Sequence, residues 1–394
     1  MLEGFFQTNH RTPLFNVRVI TKDKQEKDIT QIVTDRLISL SISDNRGFEA
    51  DMLELELSDH DGLLELPPRN ATIQVAVGWL GSFLVDKGKY LVDEVQFSGA
   101  PDKVNIRARS ADLKGSLSEK KERSFDKIKL TALVEQIAKE NQLKAKVSES
   151  YSHITIPHID QTSESDINLL TRLAEQYDAI ATVKNGTLLF MPTGKGKTAS
   201  GADIPPFEIT RQIGDSYNFS IAESDNYKAV RAYWHNTDTG KRGEVIIDEN
   251  SKITKKQKMT KGRKLKNGDV KGQRLSKRKY TVLEQTEPVT SDSDQIKTLR
   301  HTYASEQSAI TGAKSAFDKL KRGVATFSIT LAYGEPELMP EMPLVLRGFK
   351  SMIDGSDWII SRVTHNINDS GYTTQVECEL KVETDDVEVK KKEQ

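Results

Sequence analysis

The chain of 394 residues carries a single cysteine, Cys378. That excludes an internal disulfide and any zinc site needing two thiolates from one chain. No apolar run approaches the ~20 residues that a membrane-spanning helix needs, so no membrane insertion is expected. The first residues, Met1 to Arg11, offer neither a basic stretch nor an apolar core, so no Sec-type leader is expected and folding is placed in the cytosol. Charge is balanced, with 57 Lys and Arg against 58 Asp and Glu, a net of −1. A global attraction to polyanions is therefore not built in. Aromatic residues make up 7 %.

What is present is a surface-rich composition, 36 % apolar and 29 % charged. At ~100–200 residues per domain the length predicts two to four domains. Residues 14 to 110 alternate with a period of two. Phe15, Val17 and Val19 form one face, as do Ile38, Leu40 and Ile42, then Leu53, Leu55 and Leu57, then Ile73, Val75, Val77 and Trp79, then Val104, Ile106 and Ala108. Turn residues separate these runs, a pattern that predicts a sandwich or barrel with one wet face. Near residue 112 the period lengthens to that of a helix. Leu130, Leu133, Val134, Ile137 and Ala138 share one helical face, and a second helix is expected from Ser163. Asn185-Gly186 marks a hairpin.

The expected division is a barrel-like domain over 1–111, a small α/β domain over 112–192, a linker over 193–206 and a second barrel-like domain over 207–382. A charged tail, 383–394, follows. The second barrel-like region contains a helix at 303–320 and ends in strands that place Val376, Cys378 and Leu380 on one face. The fold class is thus mainly β with an α/β insert.

Within 252–279 stand thirteen Lys or Arg against one acid, Asp269. Such a run is a solvated loop or a surface for phosphate or an acidic partner. No aromatic interleaves with it before Tyr280, which argues against base stacking. Lys255, Lys256, Arg263 and Lys264 from this run, with Lys103, Arg107 and Arg109 from the first β region, are the candidate partner-facing or channel-facing residues.

No catalytic constellation emerges. Gly194-Lys195-Gly196-Lys197-Thr198 mimics the end of a phosphate-binding loop, but Met191 stands where the leading glycine belongs and no apolar helix follows. His153 and His158 flank Pro157 and cannot share a helical face. His365 reads as a packed structural histidine and Cys378 as a small buried hydrophobe. No cofactor, no metal and no enzymatic activity are expected.

The order Pro340-x-x-Pro343-x-Val345-x-x-x-Gly348-Phe349, then Asp354-Gly355-x-x-Trp358-x-Ile360, then His365, then Gly371-Tyr372-x-Thr374, resembles the late control gene D family of phage tail proteins. The stretch from Gly47 to Gly62 resembles the same family. The resemblance implies a structural baseplate hub of a contractile tail, joining the tail tube to a central spike. It implies a homotrimeric ring whose six barrels match a sixfold tube above and a trimeric spike protein below. A tube or tube-initiator protein and other baseplate proteins are the further partners, in a virion tail baseplate assembled in the bacterial cytoplasm. Because no needle follows the hub region, a separate spike protein is expected. The alternatives are a hub in a phage-like secretion or toxin-injection apparatus and, more remotely, a basic nucleic-acid-binding regulator.

Overall fold

The computed structural model describes residues 12–21, 25–68, 70–110, 116–221, 227–237, 239–259, 263–264, 270–271, 275–285 and 295–381. They fall into two compact units. One draws on 12–174, 179–221 and 325–381, and the other on 175–178 and 227–324.

The first unit opens with strand β1 (Pro13–Ile20), the short β2 (Glu26–Asp28) and helix α1 (Thr30–Arg36). Strands β3 (Leu37–Asn45), β4 (Met52–Ser58), β5 (Thr72–Trp79), β6 (Val85–Ser98) and β7 (Lys103–Ser110) follow. They pair antiparallel in the order β3-β4-β7-β6-β5-β1-β2. Alternation decides the faces: Leu53, Leu55 and Leu57 turn into the core, and Glu54 and Glu56 turn out. Val17, Val75, Val77, Val104 and Ile106 close the same core. Ile38 leaves its expected face. The register shifts between Leu37 and Ser39, so Ile38 is 37 % exposed while Leu40 and Ile42 are buried.

The insert holds β8 (Lys120–Lys129), α2 (Leu130–Glu140), β9 (Lys144–Val147), β10 (Thr155–Ser165), α3 (Asp166–Tyr177), β11 (Ala179–Lys184) and β12 (Thr187–Pro192). Helix α2 buries the five residues expected of it. Asn185 and Gly186 take φ of 49° and 68° between β11 and β12, as a type I′ hairpin turn requires. Helix α3 starts three residues later than Ser163 because Ser165 Oγ, not Ser163, accepts from a first-turn amide, that of Asn168, at 3.2 Å.

The 193–206 connection is folded down. Ala199 and Ile204 are buried, and the Gly194 amide donates to Glu341 at 2.7 Å. Gly196 sits at φ 62°, where a Cβ would lie 2.5 Å from Pro343 Cγ. The glycines of the Gly-Lys-Gly-Lys-Thr stretch thus serve a tight packed turn. Strands β13 (Phe207–Thr210) and β14 (Gly214–Ile221) complete this passage.

The second unit contains β15 (Ala229–Asn236), β16 (Lys241–Asp248), β17 (Ser251–Met259), β18 (Arg263–Lys264), β19 (Val270–Lys271), β20 (Leu275–Gln285), β21 (Ile296–Tyr303) and α4 (Glu306–Gly323). Helix α4 lays Ala309, Ile310, Ala313 and Phe317 on Val230, Ala232, Val245 and Ile247. It is capped by Ser305 and is shifted by three residues from the expected 303–320, starting and ending three residues later. The basic stretch differs from a plain loop, since β17 pairs antiparallel with β20. The charge count hid two partly buried anchors, Ile253 and Leu283, which face each other across that pair.

The chain returns to the first unit with β22 (Ala325–Leu331), β23 (Pro343–Arg347), the single turn α5 (Ser351–Asp354), β24 (Trp358–Asn368) and β25 (Gly371–Leu380). With β13 and β14 these form a second array in the order β13-β23-β24-β25-β22-β14. Its core is Ile209, Phe327, Ile329, Leu344, Leu346, Trp358, Ile360, Val363, Val376 and Cys378.

The two arrays share one connectivity. Leaving β2 aside and numbering each array's six strands in chain order, β1, β3, β4, β5, β6, β7 and β13, β14, β22, β23, β24, β25 both read 1-4-5-6-3-2. The one difference in sense is the first pair, antiparallel for β1–β5 and parallel for β13–β23. Residues 362–368 of β24 pair antiparallel with 45–39 of β3, so a single hydrogen-bonded sheet runs through both arrays.

Candidate interaction surfaces

Where β24 meets β3, the seam carries side-chain ties as well as backbone pairing. Arg362 Nε donates to Asn45 Oδ1 at 2.6 Å, and its Nη2 lies 2.8 Å from Glu49. Arg46 sits 2.7 Å from Glu341, pairs with Glu379, and donates to the Ile360 carbonyl at 3.2 Å. Nearby, Lys184 from β11 reaches Asp44 at 2.8 Å and also Asp51. Burial, then the neighbouring Asp44 charge, pushes the Asp51 carboxyl up to about 6 despite that lysine. These ties fasten the insert and both arrays into one body.

The cations singled out from the first β region lie together but not unopposed. Lys103 is 2.6 Å from Glu56, Arg107 is 2.9 Å from Glu54 and 3.4 Å from Glu94, and Arg109 is 3.2 Å from Asp93. The β4–β7 register places Glu54 opposite Arg107 and Glu56 opposite Asn105. Three cations therefore interleave with four acids on one solvent-facing ladder, and the surface is charge-compensated. Lys256 pairs with Glu284 on the other unit. The side chains of Lys255, Arg263 and Lys264 lie outside the described residues.

Sequence periodicity did not flag the exposed apolar tips. At one end of β5 the loop before it exposes Leu63 by 76 % and Leu66 by 54 %. At the other end the turn after it exposes Leu80 by 66 % and Phe83 by 97 %. Contiguous exposed apolar surface marks contact sites, which makes these paired tips candidates for one. Their only sequence signal was position, apolar residues inside short connections.

His158 and His365 sit in opposite environments. His158 is exposed between Asp126 at 2.6 Å and Asp160 at 3.1 Å, and the hydrogen bond to Asp126, then that to Asp160, raises its pKa. His365 is fully buried. Among the described residues no cluster of three or more His, Cys, Asp or Glu could hold a metal. No helix among them is long and apolar enough to cross a membrane.

Residues 48–371 match the family model described as phage tail baseplate hub (GPD). The chain belongs to the phage tail baseplate hub family. Two relatives support this across its length. The probable baseplate hub protein of Escherichia phage 186 is 44 % identical over 360 residues, covering 90 % of this chain and 91 % of the relative. That of Escherichia phage P2 is 43 % identical over 357 residues, covering the same shares. Solved structures share the fold at low identity. A tail protein from Neisseria meningitidis MC58 superposes with a TM-score of 0.60 at 10 % identity, over 95 % of this chain and 97 % of that one. The 43 kDa tail protein of prophage MuSo2 from Shewanella oneidensis gives 0.57 at 12 % identity, over 93 % and 98 %. The hub family assignment thus rests on sequence along nearly the whole chain, with the mostly β fold alongside it.

Proposed function

We propose that this baseplate hub protein acts as the symmetry adaptor of a contractile phage tail, a homotrimeric ring that joins the tail tube to a separate trimeric spike. The observation that carries the reading is the doubled connectivity 1-4-5-6-3-2 within a chain of this family. Each array wraps its own core and is taken as a barrel-like domain, the first within 1–111 and the second within 207–382, with 112–192 as the insert. Three chains then present six similar arrays to a sixfold tube and three chain-specific faces to a spike.

The apolar tips support partners along both axial directions, because Leu63 and Leu66 stand at the opposite end of β5 from Leu80 and Phe83. The role is structural rather than catalytic, in a virion baseplate assembled in the host cytoplasm. The test is the solution mass by light scattering, alone and with the neighbouring spike protein. A trimer in either condition supports the ring; a monomer in both counts against it.

A further inference from the structure

The in-chain seam contains a template for a second seam. In array two, β24 pairs with β23 only through Trp358 and Ile359, and the Ile360 amide then donates to the Met342 carbonyl just ahead of β23. The register on β25 slips at Ser361, and beyond that slip β24 is covered by β3. Array one repeats each step. β6 pairs with β5 up to Leu91, and the Val92 amide donates to the Ala71 carbonyl just ahead of β5. The register on β7 slips at Asp93. Residues 94–98 then pair with β7 on one side, and no strand covers their other side among the described residues.

The complementary edge repeats as well. β3 slips its register on β4 between Leu37 and Ser39, and β14 slips its register on β22 between Gly214 and Ser216. β14 occupies in array two the place that β3 occupies in array one, but among the described residues it ends the sheet, with no strand on its other edge.

We propose that the β14 edge of one copy pairs antiparallel with the 94–98 edge of β6 in the next copy, repeating between chains the seam that β3 and β24 make within one. This deepens the ring reading and rests on it. The in-chain register sets His365 against Ile42 and Thr364 against Ser43. Carried through the matching strand pairs, it sets Phe97 against Phe219, Gln96 against Ser220 and Val95 against Ile221. The exposure pattern fits. Phe97, Ile221 and Tyr217 are 54 %, 47 % and 45 % exposed. The residues that match Phe97 and Tyr217 at the covered seam, His365 and Leu40, are 0 % and 1 % exposed. The contact is head-to-tail, so it propagates until the ring closes, and it removes an open strand edge.

Gln96→Cys combined with Ser220→Cys tests the pairing. Both sites are exposed and polar, and the lone native cysteine is buried and offers no competing thiol. Directly opposed residues on antiparallel strands lie within disulfide reach. Diamide oxidation of the double variant is expected to drive most of the chain into reductant-sensitive linked trimers. Mixing the two single variants should give linked dimers only. Gln96→Cys with Ser216→Cys, four residues off register on the same face, should link far less. A trimer by light scattering that links neither pair, or both equally, overturns the strand pairing and leaves the hub reading intact. A monomer with and without the spike protein, unlinked, overturns the ring reading and this proposal with it.

Discussion

The phenol oxygen of Tyr372 lies 2.9 Å from Nδ1 of His365, and Thr374 Oγ1 reaches the same nitrogen at 3.0 Å. Trp79 of array one packs its ring against that of Tyr372, with centroids 5.2 Å apart and planes tilted by 37°, and donates Nε1–H to the Gly334 carbonyl at 2.8 Å. Side chains from the two arrays therefore meet around one buried imidazole, whose Nε2 has no hydrogen-bond partner among the described residues. Burial, reinforced by the nearby Lys87 charge, holds that imidazole well below its usual pKa.

Acid should weaken the fold through this residue. The native imidazole refuses a proton that the unfolded one accepts near 6.5. In the window between the depressed native pKa and 6.5 the unfolded chain binds more protons, so stability rises with pH there and is level above it. Melts of wild type at about pH 8 and about pH 5.5 should show the loss, and His365→Asn should flatten that slope whatever its overall cost. A slope unchanged in the variant would place the acid sensitivity elsewhere. Asp51 does not mimic the effect. Its carboxyl, raised from 3.8 to about 6, makes stability fall as pH rises across that lower window.

Gly334 is required by the same packing. A Cβ there would lie 2.4 Å from Tyr372 Cδ2 and 2.5 Å from Cε2, closer than real contacts allow. Gly334→Ala should therefore cost ~1–3 kcal/mol of stability through overpacking. Tyr372→Phe, which keeps the ring and loses the hydroxyl, should cost ~1 kcal/mol. Urea midpoints measure both. A Gly334→Ala midpoint equal to wild type would mean that the Tyr372 ring can swing aside.

Asp166 anchors the insert. It is fully buried, 2.6 Å from Lys121 and 2.7 Å from Arg123, and accepts from Gln161 at 2.9 Å and Asn141 at 3.0 Å. Burial raises its pKa, but the hydrogen bonds from Lys121, Gln161 and Asn141 outweigh it and the net direction is down. Its contribution is thus present above the usual carboxylate pKa and lost on acidification. Asp166→Asn should destabilise by about 2–3 kcal/mol, below the range for fully buried pairs because Lys121 and Arg123 stay partly wet. A change under about 0.5 kcal/mol would show that water replaces the carboxylate freely.

Strand alternation made most of the two cores legible, because which way Leu53 or Val376 points depends on its immediate neighbours. The helical face of α2 was legible for the same reason. Relationships between distant segments were not. Arg362 meets Asn45 only after β24 leaves β23 for β3. The shared connectivity left no sequence trace, since the same position is His365 in one array and Phe97 in the other. Arg107 was visible as a cation, yet its opposition to Glu54 depends on the β4–β7 register. The exposed Phe83 breaks no local rule, and only its place in a short connection set it apart from core phenylalanines.

That compensated ladder makes the candidate surface testable without confusing assembly with folding. Arg107 and Arg109 are 49 % and 62 % exposed along their side chains. Exposed pairs of this kind contribute ~0–1 kcal/mol each. Reversing both, Arg107→Glu with Arg109→Glu, sets acids beside Glu54, Glu94 and Asp93 and turns a balanced strip strongly negative. The isolated chain should lose at most ~2 kcal/mol and remain folded by circular dichroism. If the ladder faces a partner or the channel, particle assembly should fall far more than this loss explains, and the shortfall should shrink at high salt as repulsion is screened. Normal particle yield from the doubly reversed chain would remove Arg107 and Arg109 from the partner surface and leave the apolar tips as the contact sites.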